Sequence, residues 1–242
     1  MDNATLASST CKLFLIPNTL GETPIDQSLP AYASHVVASL QYFLVEDEKS
    51  ARKLIKQLAP QLSIRELSIQ RLNEHTKPEE LSQLTAPLRE GHSVGIISEA
   101  GCPAIADPGA NVVKVAHELG MQVVPLVGPC SMVLALMASG LNGQSWRFQG
   151  YLPIENDKRI ETIRSLDERV RTLGETQIMM DTPYRNEKLL QDLLAYCKST
   201  TRLCIAQGLT TSNESIRTKS VHEWRQSAPS VEKIPALFLI GF

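Results

Sequence analysis

The chain has no surplus of positive charge: 24 Lys and Arg stand against 26 Asp and Glu, a formal net charge of −2. A protein whose main work is gripping nucleic-acid phosphates usually carries such a surplus, so only local basic patches are left to serve that purpose. Cysteine is sparse and unpatterned. Cys11, Cys102, Cys130, Cys197 and Cys204 are odd in number and form no C-x-x-C, and the five histidines are scattered. Metal-ligand spacing is therefore absent, and the expectation is reduced thiols, a cytoplasmic protein and no metal. No apolar run approaches a membrane span; the longest lies around Met132–Met137. The first residues include Asp2 and lack the apolar centre of a secretory signal. Neither G-x-x-x-x-G-K-[ST], nor G-x-G-x-x-G after a strand, nor G-x-S-x-G occurs.

What is present is an alternation of short apolar runs with amphipathic stretches. At 242 residues the chain can bury one large core or two modest ones. Residues 1–10 are polar and expected to be loose. Strands are predicted at 12–16, 42–45, 63–69, 93–97 and 122–127, with helices at 31–40, 50–58, 78–90 and 108–119 between them. This β/α order predicts a mostly parallel sheet covered on both faces. The pattern breaks across 143–153, which places a domain boundary at Gly150 and divides the chain into residues 1–149 and 150–242. In the second part, helices are predicted at 156–173 and 186–196 and strands at 176–180, 202–207 and 235–240, with 209–220 an irregular or hairpin stretch. The fold class is α/β, with two α/β domains, the second smaller.

Chemistry is concentrated between Ser93 and Gly140. The strand ending at Ile97 runs into Ser98-Glu99-Ala100-Gly101-Cys102-Pro103, then Ala106-Asp107-Pro108-Gly109, where Asp107 is placed to cap a helix that begins at Pro108. That helix is expected to bury Val112, Val113, Ala116 and Leu119. The next strand feeds Gly128-Pro129-Cys130-Ser131 and a helix of small and apolar residues. Ligands of open α/β sheets sit outside the carboxyl ends of the strands, and two neighbouring strand ends bearing loops without bulk read as a ligand cradle. Cys102 and Cys130 are read as small packing residues against that ligand rather than nucleophiles. Glu46, Asp47, Glu99 and Asp181 are carboxylates at strand ends, where each is either a helix cap or a functional acid. Arg185 either clamps an anionic substrate or braces the second domain. The first strand is followed by Pro17-Asn18-Thr19-Leu20-Gly21, which is not the acidic, glycine-spaced loop of common Rossmann-type methyltransferases.

Together these pieces resemble the tetrapyrrole methylase superfamily of S-adenosylmethionine-dependent methyltransferases, and within it the branch that 2′-O-methylates a cytidine of small-subunit ribosomal RNA. The resemblance is carried by LFLIPNTLGE (13–22), VEDEKSARKL (45–54), SEAGCPAIADPG (98–109), VVPLVGPCSMVLALMASGL (123–141), GYLP (150–153), DTPYR (181–185), GLTTSNE (208–214) and PALFLIG (235–241). It implies two α/β domains with the methyl donor in the cleft between them, and a homodimer. Donor contacts carried over by motif are Pro17, Ser98, Glu99, Ala100, Gly101, Cys102, Pro103, Ile105, Cys130, Ser131, Met180, Asp181, Ala206, Pro235 and Ala236. Glu46, Asp47 and Asp181 are the candidate proton acceptors, and Arg185 the candidate for positioning an anionic acceptor. The chain departs from the branch at Glu48-Lys49, at Glu99 and at Gln207-Gly208, all outside the small-residue donor loops except Glu99. The acceptor is therefore read as ribosomal RNA or a small molecule of the tetrapyrrole type. An alternative is a donor-binding regulatory or interaction module without catalysis. No membrane partner is expected.

Overall fold

Apolar residues two apart in the first strands divide between two layers, and the first half of the fold follows from that division. The computed structural model describes residues 11–73, 75–231 and 233–242; the loose segment predicted at 1–10 lies outside them. The first half runs β1 (Lys12–Ile16), α1 (Ala31–Ala38), β2 (Tyr42–Val45), α2 (Glu48–Leu58), β3 (Ser68–Arg71), α3 (Pro78–Leu84), α4 (Ala86–Arg89), β4 (Val94–Ile97), α5 (Ala110–Glu118) and β5 (Gln122–Pro125). The five strands form a parallel sheet in the order β3-β2-β4-β1-β5. Phe14, Ile16, Phe43, Val45 and Ile97 pack with Val36, Val37, Leu54 and Ile55 of α1 and α2. Leu13, Leu44, Val94 and Ile96 face the other way, toward Leu88 of α4 and Val112 and Ala116 of α5. A parallel sheet covered on both faces needs such doubly buried strands.

The second half runs α6 (Ser131–Ser139), β6 (Trp146–Tyr151), α7 (Asn156–Leu173), β7 (Thr176–Met180), α8 (Asn186–Tyr196), β8 (Arg202–Gln207), β9 (Ser215–Ser220), α9 (Val221–Ser227) and β10 (Ala236–Gly241). Its sheet is mixed, in the order β6-β7-β10-β8-β9, with only the β6–β7 pair parallel. Its core joins Ile163, Leu166 and Val170 of α7, Leu189, Leu190 and Leu193 of α8, and Trp224 of α9 to Met179, Ile205 and Phe238 of the sheet. A buried ion cluster pins the chain between β6 and α7. Arg159 donates from Nε to Asp192 at 2.7 Å and from its terminal nitrogens to the carbonyls of Pro153 and Ile154 and to Asn156. Both side chains of the pair are 5% exposed, and Lys188 adds a second cation on Asp192 at 2.8 Å.

Several expectations are revised. The compact units run to Pro129 and from Cys130 to Phe242, and residue 150 lies inside β6, so α6 belongs with the second sheet. The helix predicted at 78–90 is interrupted at Thr85. The strand predicted at 63–69 is a short 3-10 turn, Ile64–Glu66, followed by β3. β5 stops at Pro125; it is an edge strand, where a missing backbone donor is tolerated. The β4 and β5 ends are not neighbours, because β1 lies between them. Leu119, expected in the core, is 38% exposed. Asp107 is not the cap of α5. The helix begins at Ala110 behind Gly109, whose φ of 136° only glycine adopts readily.

Candidate functional site

Connections from β1 lead toward β2 and β3 on one side, while the connection from β4 passes β1 to reach β5 on the other. Such a reversal leaves a crevice at the carboxyl ends, where loops can part to admit a ligand. Here it is built around Asn18, which is 5% exposed. Its backbone pairs with Gly101 in both directions, at 2.9 and 3.1 Å. Its side-chain amide donates to the carbonyls of Ser98 and Glu99 at 3.2 and 2.9 Å and to Ser50 Oγ at 2.9 Å, while its Oδ1 accepts from Thr19 N–H. Ser98 Oγ donates to the Gly101 carbonyl at 2.6 Å, closing the loop on itself. The β1 and β4 loops are thus one hydrogen-bonded body.

The β5 loop is packed onto the same body. A Cβ on Gly128 would lie 2.3 Å from the Pro17 ring, closer than any carbon contact, so only glycine permits this approach. Cys102 Sγ lies 3.4 Å from the Pro129 carbonyl. Ala104 and Ala106 have φ of 65° and 55°, a conformation that costs residues with a Cβ on the order of 1–2 kcal/mol each. Between them Ile105 is 50% exposed. Pro17 and the predicted residues from Ser98 to Ile105 are therefore brought together by backbone, in a loop system built mostly of small residues. That is what close approach by an extended ligand requires.

Beside the cradle lies a carboxylate group that the sequence reading only half anticipates. Glu46, at the end of β2, accepts the Glu99 N–H on Oε2 at 3.1 Å. Asp107 faces the same acids. Burial first, then its contact with Glu46 and the charges of Glu46 and Glu99, push its carboxyl up to about 8. Asp107 Oδ2 is buried and receives no donor from another group. A proton on Asp107, shared with Glu46, satisfies that oxygen and ties the loop after β4 to the end of β2. The Asp-Pro-Gly signature reads as a helix cap, so sequence conceals this role; the missed signal is its membership of the same motif as Glu99. Asp47 is instead a cap: its Oδ1 accepts the Ser50 N–H at 2.7 Å at the start of α2.

In the second unit, the predicted residues again gather at one sheet end. Met180 is opposite Leu237, Leu237 opposite Ala206, and Ala236 opposite Gln207, so Met180–Asp181, Ala206 and Pro235–Ala236 sit on three adjacent strands. The Pro235 carbonyl accepts the Gly208 N–H at 3.1 Å, and Asn186, wholly buried, donates to the Ile234 carbonyl at 2.6 Å. The Asp181 carboxylate is 1% exposed and fully engaged, with Oδ1 on the Thr182 N–H at 2.8 Å and Oδ2 on Arg185 at 3.0 Å. Arg185 keeps 31% of its side chain exposed. Cys130 and Ser131 occupy the N-cap and first position of α6.

The comparisons follow the same lines. The family of tetrapyrrole (corrin/porphyrin) methylases matches residues 27–224. The ribosomal RNA small subunit methyltransferase I of Vibrio cholerae is 30% identical over 216 residues, 89% of this chain and 71% of that protein. The protein of the same name from Pseudomonas aeruginosa is 28% identical over 232 residues, covering 95% and 78%. In fold, the crystal structure of the methyltransferase CobJ is similar with a TM-score of 0.62 at 15% identity, covering 96% of this chain and 93% of that one. Uroporphyrin III C-methyl transferase from Thermus thermophilus gives 0.58 at 16% identity, covering 95% and 97%. Together with a small-residue loop body at the carboxyl ends of a parallel sheet, these place the chain in the tetrapyrrole (corrin/porphyrin) methylase family of S-adenosylmethionine-dependent methyltransferases.

Proposed function

We propose that this chain transfers a methyl group to a ribose 2′-hydroxyl of small-subunit ribosomal RNA, as a homodimer in the cytoplasm. The observation that carries the choice of acceptor is likeness over 89% of the chain to a protein named for that RNA. The donor side is supported by the loop body itself, which Gly128 allows to close onto the Pro17 ring. Pro17, Ser98 to Pro103 and Ile105 would hold the donor from the first unit.

The donor supplies a methyl on a sulfonium centre; transfer breaks that C–S bond, forms a C–O bond and releases the hydroxyl proton. Alignment accounts for much of the acceleration in such an in-line displacement, which suits loops locked by Asn18. For the proton, Glu46 is our choice of acceptor. Asp47 is committed to capping α2 and Asp181 to Thr182 and Arg185. Glu46 gives one oxygen to a backbone N–H and stands beside a partner that titrates near 8. Arg185, still partly exposed, would meet an anionic portion of the acceptor.

The test is to incubate the protein with methyl-labelled S-adenosylmethionine and cell extract, then sort the label into RNA, protein and small molecules. Label in small-subunit RNA is the expected result. Label in a tetrapyrrole fraction moves the acceptor to the small-molecule branch. Donor binding without any transfer would leave a regulatory module in place of an enzyme.

A further inference from the structure

The second unit contains a cavity of about 320 Å³ that the donor residues do not use. Its floor is the outer pair of strands. Ser215, Arg217 and Lys219 alternate along β9 and so point to one face, and Gln207 stands opposite Ser215 in the β8–β9 ladder. Its wall is α9, with Trp224 and Ser227. The Trp224 ring is 2% exposed and fixed by its N–H donating to the Leu203 carbonyl at 2.7 Å. Lys219 Nζ lies 4.7 Å from the centre of that ring and 3.4 Å from Ser227 Oγ.

Among the described residues, two cations, two hydroxyls and no carboxylate line this recess. Packing on Trp224 explains where Lys219 lies. It does not explain Arg217, whose guanidinium has no hydrogen bond or ion pair among the described residues. The nearest acid on α9, Glu223, is turned to the N–H and hydroxyl of Ser220. In a chain of net charge −2, a recess with two cations among its described residues is a local departure. A volume near the lower limit of ligand pockets fits one phosphate with part of its sugar. Because β9 is an edge strand, the recess borders an open sheet edge along which a longer polymer can continue.

We propose that this recess binds a backbone phosphate of the acceptor RNA, with Arg217 and Lys219 as its positive partners and Ser215 and Ser227 as hydroxyl donors. The proposal deepens the acceptor assignment above and rests on it. The recess would position RNA without touching the reacting atoms, so its residues act on acceptor affinity and not on donor affinity.

The experiment measures binding of a fluorescein-labelled oligouridylate 12-mer by anisotropy over a salt series, and binding of S-adenosylmethionine by calorimetry. The proteins are the wild type, Arg217→Ala, Lys219→Met (which keeps the stem over the indole) and Lys114→Ala, an exposed cation of the first unit. Arg217→Ala and Lys219→Met should each weaken RNA binding about 3- to 10-fold and flatten the salt slope by about 0.7, the value for one single-strand phosphate contact. Donor affinity should stay within twofold, and Lys114→Ala should bind RNA like wild type. Wild-type binding with unchanged Arg217→Ala and Lys219→Met, or equal losses in Lys114→Ala, overturns the recess and leaves the acceptor assignment standing. Uridine monophosphate competing as well as the 12-mer also overturns it, in favour of a small-anion site. No wild-type binding to RNA, with donor binding intact, overturns both.

Discussion

Replacing Asp107 with Asn tests whether a shared proton holds the loop after β4. With its carboxyl pushed up to about 8 in the folded chain, against an ordinary 3.8, Asp107 keeps a proton that the unfolded chain releases. The stability this contributes is fully present below about pH 4 and is lost as pH rises through about 8, since the folded state binds the extra proton across that window. One proton sets a ceiling of about 1.4 kcal/mol per pH unit. Asp107 is only half-buried, so solvent screening reduces the total to on the order of 1–2 kcal/mol. Asn cannot ionise, and its amide can donate to Glu46 as the protonated acid does. Asp107→Asn should gain about 1–2 kcal/mol on wild type between pH 5 and pH 9, a rise of roughly 2–8 °C in midpoint for a chain of this size. Urea or thermal melts from pH 5 to 9 make the comparison. Parallel pH profiles would refute the shared proton.

Other perturbations separate the scaffold from the chemistry. Arg159→Ala leaves buried Asp192 to Lys188 and takes the donor from the Pro153 and Ile154 carbonyls; it should cost about 3 kcal/mol in urea unfolding of the second unit. Gly128→Ala forces a carbon against Pro17; it should destabilise the first unit by about 1–3 kcal/mol and weaken donor binding at least tenfold by calorimetry. Asp47→Ala removes the cap of α2 and should cost about 1 kcal/mol in melts. Glu46→Gln keeps an acceptor for the Glu99 N–H but loses the base; methyl transfer should fall about 10²- to 10⁴-fold while donor affinity holds.

Elements with a clear period and firm ends were legible from the residues alone. β1, β2, β7 and β8 and helices α7 and α8 have the bounds expected, because apolar runs end at Pro, Gly or charged turns. Edge strands hid. β6 reads Trp-Arg-Phe-Gln-Gly-Tyr and is interrupted by a bulge between Phe148 and Gly150, so alternation is lost. α9 has seven residues, too few for a helical period to declare itself. The loops proposed to hold the donor were legible as runs of small residues, since steric permission is written in composition. Their order in the sheet was not, because nothing local says that β1 lies between β4 and β5. Asn18 and Asp107 were concealed for a related reason: each acts across a long sequence separation, on Ser98–Gly101 and on Glu46.

Methyl transfer to a ribose hydroxyl of small-subunit RNA is tested most directly on the RNA itself. Purified small subunits lacking the modification, incubated with methyl-labelled S-adenosylmethionine and this protein, can be digested with alkali. A 2′-O-methyl blocks the hydroxyl that alkali uses to cleave the adjacent phosphodiester, so the expected result is label in alkali-resistant dinucleotides, at no more than one methyl per subunit. Label released entirely as mononucleotides would place the methyl on a base, and no label in RNA despite donor binding would contradict the acceptor altogether.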